Sequence, residues 1–164
     1  MEKKKILLVD DDQDVIAIVQ TILENENFEV VTATNKQDGI KKAISEKPDL
    51  AILDVMMTTH YEGFELAQAF NETEELKSIP KLMQTSIDVF SSSDLDAMNF
   101  AREYRSNPEF SELDVLLVVD PKKNTAGIDY KNKEGKTIWV PVSGFVAKPV
   151  NSKILLPEIY RLLN

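Results

Sequence analysis

The chain contains no cysteine, which removes disulfides, thiolate nucleophiles and cysteine-ligated metals from consideration. Histidine is nearly as scarce. His60 stands alone, so the multi-histidine sets that hold zinc are excluded, and His60 reads as a loop residue. Long apolar runs are missing too: Ile6 to Val9 is four residues, and Asp10 to Asp12 follow at once. That is too short for a signal-peptide core or a membrane span. Positive charge is the minority, with 19 Lys and Arg against 28 Asp and Glu and a net −9 at pH 7. Such a balance repels nucleic-acid phosphates. The basic clusters, Lys3 to Lys5 and Lys122-Lys123, carry no interleaved aromatic residues and read as solvated edges. These absences predict a cytoplasmic protein that binds neither nucleic acid nor membrane.

What is present suffices for a core: 43% of the 164 residues are hydrophobic, the scale of one domain or one domain with an insertion. Short apolar runs alternate with amphipathic segments. Ile6 to Val9, Phe28 to Ala33, Leu50 to Val55 and Lys81 to Thr85 read as strands, mostly buried on both faces. Between them lie a helix capped by Asp12, one beginning at Asn35 and ending before Pro48, and one opening at Gly63. This βαβαβαβ rhythm predicts an α/β fold with a doubly wound parallel sheet and helices on both faces.

The rhythm breaks after Thr85. Phe145 to Ala147 closes the sheet only 60 positions later, twice the span of about 30 residues that a βαβ unit needs. Ser91 to Ser93 are expected to cap a helix through Tyr104, with Leu95, Met98 and Ala101 inward. The surplus, residues 109–142, holds apolar runs at Val115 to Val119 and Ile138 to Val142 with turn signals between them. It predicts a β-hairpin-like insertion before the fifth strand, with Trp139 anchoring it against the sheet. Ser152 starts a closing helix whose first turn is expected to take Pro157.

In an open parallel sheet, ligands bind outside the carboxyl ends of the strands. Asp10-Asp11, Asp54, Thr85-Ser86 and Lys148 all fall at that edge. Asp54 interrupts an apolar run, where an idle carboxylate is costly. Asp12 reads as a cap and Asp14 as favourable first-turn charge; Ser86 reads equally as a strand-end hydroxyl or a site residue. Crowded carboxylates need protonation or a cation, and a hard divalent ion with oxygen ligands answers that need. A nearby ammonium adds positive charge toward an incoming phosphoryl oxygen, so that a carboxylate can act as nucleophile.

The stretches Ile6-Leu7-Leu8-Val9-Asp10-Asp11-Asp12, Leu53-Asp54-Val55-Met56-Met57, Gly63-Phe64-Glu65-Leu66, Thr85-Ser86 and Gly144-Phe145-Val146-Ala147-Lys148-Pro149 resemble receiver domains of bacterial two-component response regulators. The likeness is to the single-domain, chemotaxis-regulator-like kind and covers the chain apart from residues 109–142. It implies a flavodoxin-like five-stranded sheet and one receiver domain over residues 1–164. It also implies Asp54 as phosphoacceptor, Mg²⁺ held by Asp10, Asp11, Asp54 and the Met56 backbone carbonyl, Lys148 on the phosphoryl group, and Thr85 and Phe145 as switch residues. The implied partners are a sensor histidine kinase or histidine phosphotransfer protein and a downstream protein. The role is that of a phosphoacceptor rather than a turnover enzyme. Dimer formation is left open.

Three departures accompany the resemblance. Thr58 to Glu62 replaces the Pro usual after the Met-Met pair and adds one residue. The insertion falls in the segment receivers use for output. No output domain is expected after Asn164. The first two favour an alternative, a degenerate receiver that binds partners without phosphorylation. A haloacid-dehalogenase-like phosphatase is disfavoured, because Met56 stands where that family has its second Asp.

Overall fold

The computed structural model describes residues 3–55, 57 and 62–164. In chain order the elements are β1 (Lys5–Val9), α1 (Gln13–Asn25), β2 (Glu29–Ala33), α2 (Lys36–Glu46), β3 (Leu50–Asp54), α3 (Glu62–Glu72), β4 (Lys81–Thr85), β5 (Val89–Ser91), α4 (Ala97–Ser106), β6 (Val115–Asp120), β7 (Thr125–Lys131), β8 (Thr137–Val142), β9 (Gly144–Ala147) and α5 (Ser152–Leu163). β1, β2, β3, β4 and β9 form a parallel sheet in the order β2-β1-β3-β4-β9. The expected flavodoxin-like sheet is present.

Helix starts follow the capping residues. The Asp12 side chain accepts from the Asp14 N–H at 2.9 Å, Asn35 from Asp38 at 2.8 Å, and Asn151 from Ile154 at 3.1 Å, each satisfying a donor the helix leaves orphaned. Pro157 lies deeper in α5 than the first turn, at its sixth residue.

Side chains alternate across the parallel sheet and feed two cores. Ile6, Leu8, Leu50, Ile52 and Leu82 pack against Ile16, Val19 and Leu23 of α1 and Leu155 and Ile159 of α5. Leu7, Val9, Leu53 and Met83 face α2 and α3, including Phe64, Leu66 and Phe70. Each fully buried side chain of this size contributes about 1.5–3 kcal/mol. Gly63, near the start of α3, is dictated by close approach. A Cβ there would lie 2.2 Å from the Asp54 carbonyl oxygen and 2.3 Å from that of Val55.

The insertion is a larger unit than a hairpin. β5, β6, β7 and β8 form a second, four-stranded sheet, with β5 parallel to β6 and the rest antiparallel. The second sheet thus takes in β5, which starts at Val89, ahead of residues 109–142. One face of this second sheet, with Leu117, Ile128 and Val140, joins the same apolar cluster as Leu53 and Phe64. The other face carries α4 through Ala97, Ala101, Leu116 and Val118. α4 starts after an Asp96 cap rather than at Ser91, and it packs on β6 and β7. Leu95 and Met98, expected inward, are 37% and 41% exposed; Ala101 is buried. Trp139 covers Gly127 and lies on the α4 side, so it does not anchor the insertion to the parallel sheet.

Candidate functional site

The carboxyl edge of the parallel sheet gathers residues from β1, β3 and the segment after β9. Asp10 follows β1, with its N–H donating to the Ala33 carbonyl at 3.1 Å, and its side chain is fully buried. Asp54 ends β3 and is also buried, whereas Asp11 is exposed. Asp10, Asp11 and Asp54 each offer a carboxylate oxygen, and these oxygens lie within 4.8 Å of one another. Asp10 Oδ1 accepts from the Asp12 N–H at 2.9 Å.

Lys148 completes the cluster. Its N–H donates to the Thr85 carbonyl at 2.8 Å, which continues the β4–β9 ladder one residue beyond the strand. Its ammonium lies 3.2 Å from Asp10 Oδ2 and 3.0 Å from Asp54 Oδ1. Burial opposes the charge on Lys148, but Asp54 first and Asp10 second outweigh it, and the pKa is raised above the usual lysine value. One ammonium against three clustered carboxylates leaves net negative charge. All-oxygen donors with residual negative charge suit a hard divalent cation.

The remaining candidates lie nearby but not in this contact. Thr85 is buried at the end of β4, and its hydroxyl accepts from the Ile87 N–H at 2.9 Å. Its own O–H donates to the Ile87 carbonyl at 3.3 Å. Phe145, in register with Met83, packs against the cluster on the opposite sheet face and borders β6 and β7 near Val119 and Ala126. Met56 and His60 lie outside the described residues.

One polar residue escaped the sequence reading. Gln84 stands in register with Asp54 on one side and Val146 on the other. It shares a sheet face with Asp54, since both follow the alternation of Ile52 and Leu82. It is fully buried, and neither amide atom meets a hydrogen-bond partner among the described residues. A glutamine inside an otherwise buried strand was the available signal, and the β3–β4 register places it beside Asp54.

A doubly wound sheet with an acidic pocket and a lysine at its carboxyl edge has the architecture of signalling receiver domains. The response regulator receiver domain model matches residues 6–100, more than half of the chain, and the protein belongs to that family of two-component signalling. The chain is 38% identical over 85 residues to the alkaline phosphatase synthesis transcriptional regulatory protein PhoP of Bacillus subtilis, covering 52% of this chain and 34% of that protein. It is 29% identical over 104 residues to protein PilH of Pseudomonas aeruginosa, covering 63% of this chain and 85% of that one. Thus it spans about a third of the length of the Bacillus relative. Among solved structures, chemotaxis protein CheY4 of Vibrio cholerae superposes with a TM-score of 0.64 at 23% identity, covering 99% of this chain and 100% of that one. A CheY-like receiver domain of Methanospirillum hungatei gives 0.60 at 24% identity, covering 99% and 94%. These structural likenesses carry the fold. No helix among the described residues is long and apolar enough to cross a membrane.

Proposed function

We propose that the protein is a phosphoacceptor in a two-component relay, with Asp54 as the nucleophile, and that the second sheet belongs to the same receiver unit. The observation that carries this reading is the position of Lys148, whose ammonium touches Asp54 and Asp10 within the acidic trio. Continuity of one apolar cluster through both sheets supports treating them as one unit.

The donor is a phosphohistidine on a sensor kinase or phosphotransfer protein, or acetyl phosphate in vitro. One carboxylate oxygen of Asp54 forms a new P–O bond while the donor's bond to phosphorus breaks, P–N in phosphohistidine or P–O in acetyl phosphate, and the electron pair leaves with the imidazole nitrogen or the acetate oxygen. The product is an acyl phosphate. Lys148 faces a phosphoryl oxygen and stabilises charge in a loose transition state. Asp10, Asp11 and Asp54 would hold Mg²⁺, with the Met56 carbonyl outside the described residues as a further ligand. Bound there, the ion offsets carboxylate repulsion and neutralises phosphoryl oxygens.

Thr85 and Phe145 act as the switch. The Thr85 hydroxyl leaves Ile87 for a phosphoryl oxygen, and Phe145 shifts at its border with β6 and β7. A downstream protein reads the altered surface. Incubation with acetyl phosphate and Mg²⁺ adds one acid-labile phosphoryl group, read by intact mass, and Asp54→Asn abolishes it. An unmodified wild type, or equal labelling of Asp54→Asn, overturns the reading.

A further inference from the structure

α4 sits on the outer face of the second sheet, and beside it opens a cavity of about 460 Å³, a size typical of ligand pockets, which run to roughly 300–1,000 Å³. Its wall is aromatic. Tyr104 stacks on Phe110 at 4.4 Å between ring centroids and on Phe100 at 6.1 Å. Behind them Phe90 tilts against Tyr104 at 5.2 Å. Asp94 and Glu103, both exposed, also line the cavity, and no lysine or arginine does.

The helix's own cations are turned elsewhere. Arg102 lies 3.3 Å from Asp129 on β7, and Arg105 donates to the same carboxylate. Among the described residues, no ion pair reaches Asp94 or Glu103. Tyr104 and Asn107 stand at the C-terminal end of α4, where backbone carbonyls add partial negative charge.

Aromatic side chains, two carboxylates outside any ion pair among the described residues and a helix C-terminus all favour a cation with an apolar or planar body. Leu95 borders the cavity, and Leu113 is exposed on the turn that follows Phe110. They offer apolar contact beyond one inserted group. The net charge of −9 draws basic segments toward the protein. We infer that this cavity receives an arginine or lysine side chain from a basic segment of a partner protein. The site is on the far side of the second sheet from the acidic pocket and does not depend on phosphorylation of Asp54.

The test is ¹H–¹⁵N NMR titration of the full chain with the peptide acetyl-Gly-Gly-Arg-Gly-Gly-amide. Its citrulline counterpart removes the charge at constant shape, and tetramethylammonium supplies a free cation. The arginine peptide should give saturable shifts concentrated in residues 93–110. Glu103→Gln and Asp94→Asn, both at exposed positions, should each weaken it about twofold to fivefold, and Glu103→Lys should abolish it. Four results overturn the inference: equal binding of the citrulline peptide, tetramethylammonium binding as tight as the peptide, shifts spread over the acidic surface, or no saturation.

Discussion

Lys148 Nζ lies 3.0 Å from Asp54 Oδ1 across 94 positions of sequence, and the same ammonium meets Asp10 at 3.2 Å. One cation thus answers two buried carboxylates that would otherwise face each other. Lys148→Met should cost about 1–3 kcal/mol in divalent-free buffer, less than a fully buried pair because Lys148 is partly exposed. Millimolar Mg²⁺ should restore much of that loss, since a divalent ion among the three carboxylates replaces the missing charge. Urea titrations of both proteins, with and without Mg²⁺, check this. An identical deficit in the two buffers would sink the claim.

Lys81 gives a prediction of opposite character. It opens β4 with its side chain buried, and its ammonium meets the Ile79 carbonyl at 3.3 Å. Burial holds its pKa below the ordinary 10.5. Between that lowered value and 10.5 the unfolded chain binds more protons, so this group's contribution to stability rises with pH across the window. Below the window its full penalty is present. Lys81→Met should therefore have the higher urea midpoint at pH 7, with the advantage shrinking as pH approaches 10.5. A gap that stays constant from pH 7 to 10.5 would contradict the assignment.

The parallel sheet was legible because its strands are mostly apolar and its helices carry explicit caps, as with Asp12 and Asn35. The acidic edge was legible because Asp10, Asp11, Asp54 and Lys148 each end or follow such a strand. The second sheet was only half legible. β5 is three residues long, too short for a periodicity, and its partner β6 lies well beyond α4. Without that pairing, α4 has no visible reason to leave the parallel sheet. Its inner face was misplaced for the same cause: Leu95 and Met98 look like core by hydropathy, yet the contacts to β6 and β7 select Ala97 and Ala101. Gln84 was passed over because burial of both amide atoms is a property of register, which one strand alone does not reveal.

The amide of Gln84 carries a desolvation cost with no hydrogen bond among the described residues to offset it. Gln84→Leu keeps the volume similar and removes both polar atoms. It should stabilise the protein by roughly 1 kcal/mol, measured by urea denaturation. Loss of stability would mean that the amide is satisfied in solution.

Beside its apolar contacts, α4 is tied to β7 by a buried carboxylate that meets Arg105 and, at 3.3 Å, Arg102. Asp129 on β7 is fully buried. Arg105 donates to its carboxylate and, at 3.1 Å, to its backbone carbonyl, and also donates to the Leu113 carbonyl. Asp129→Ala strands a buried guanidinium and should cost about 3–5 kcal/mol. Replacing both partners, as Arg105→Met with Asp129→Leu, should recover most of that loss, because an apolar pair of similar volume leaves no buried uncompensated charge, Arg102 being exposed. A double-mutant cycle isolates the coupling. Hydrogen exchange adds a spatial check: in Asp129→Ala the amides of α4 should exchange faster, while those of α1, packed on the far core, keep their protection. A single variant that costs under about 1 kcal/mol, or a double variant as unstable as the sum of the singles, would show that the pair does not hold the helix.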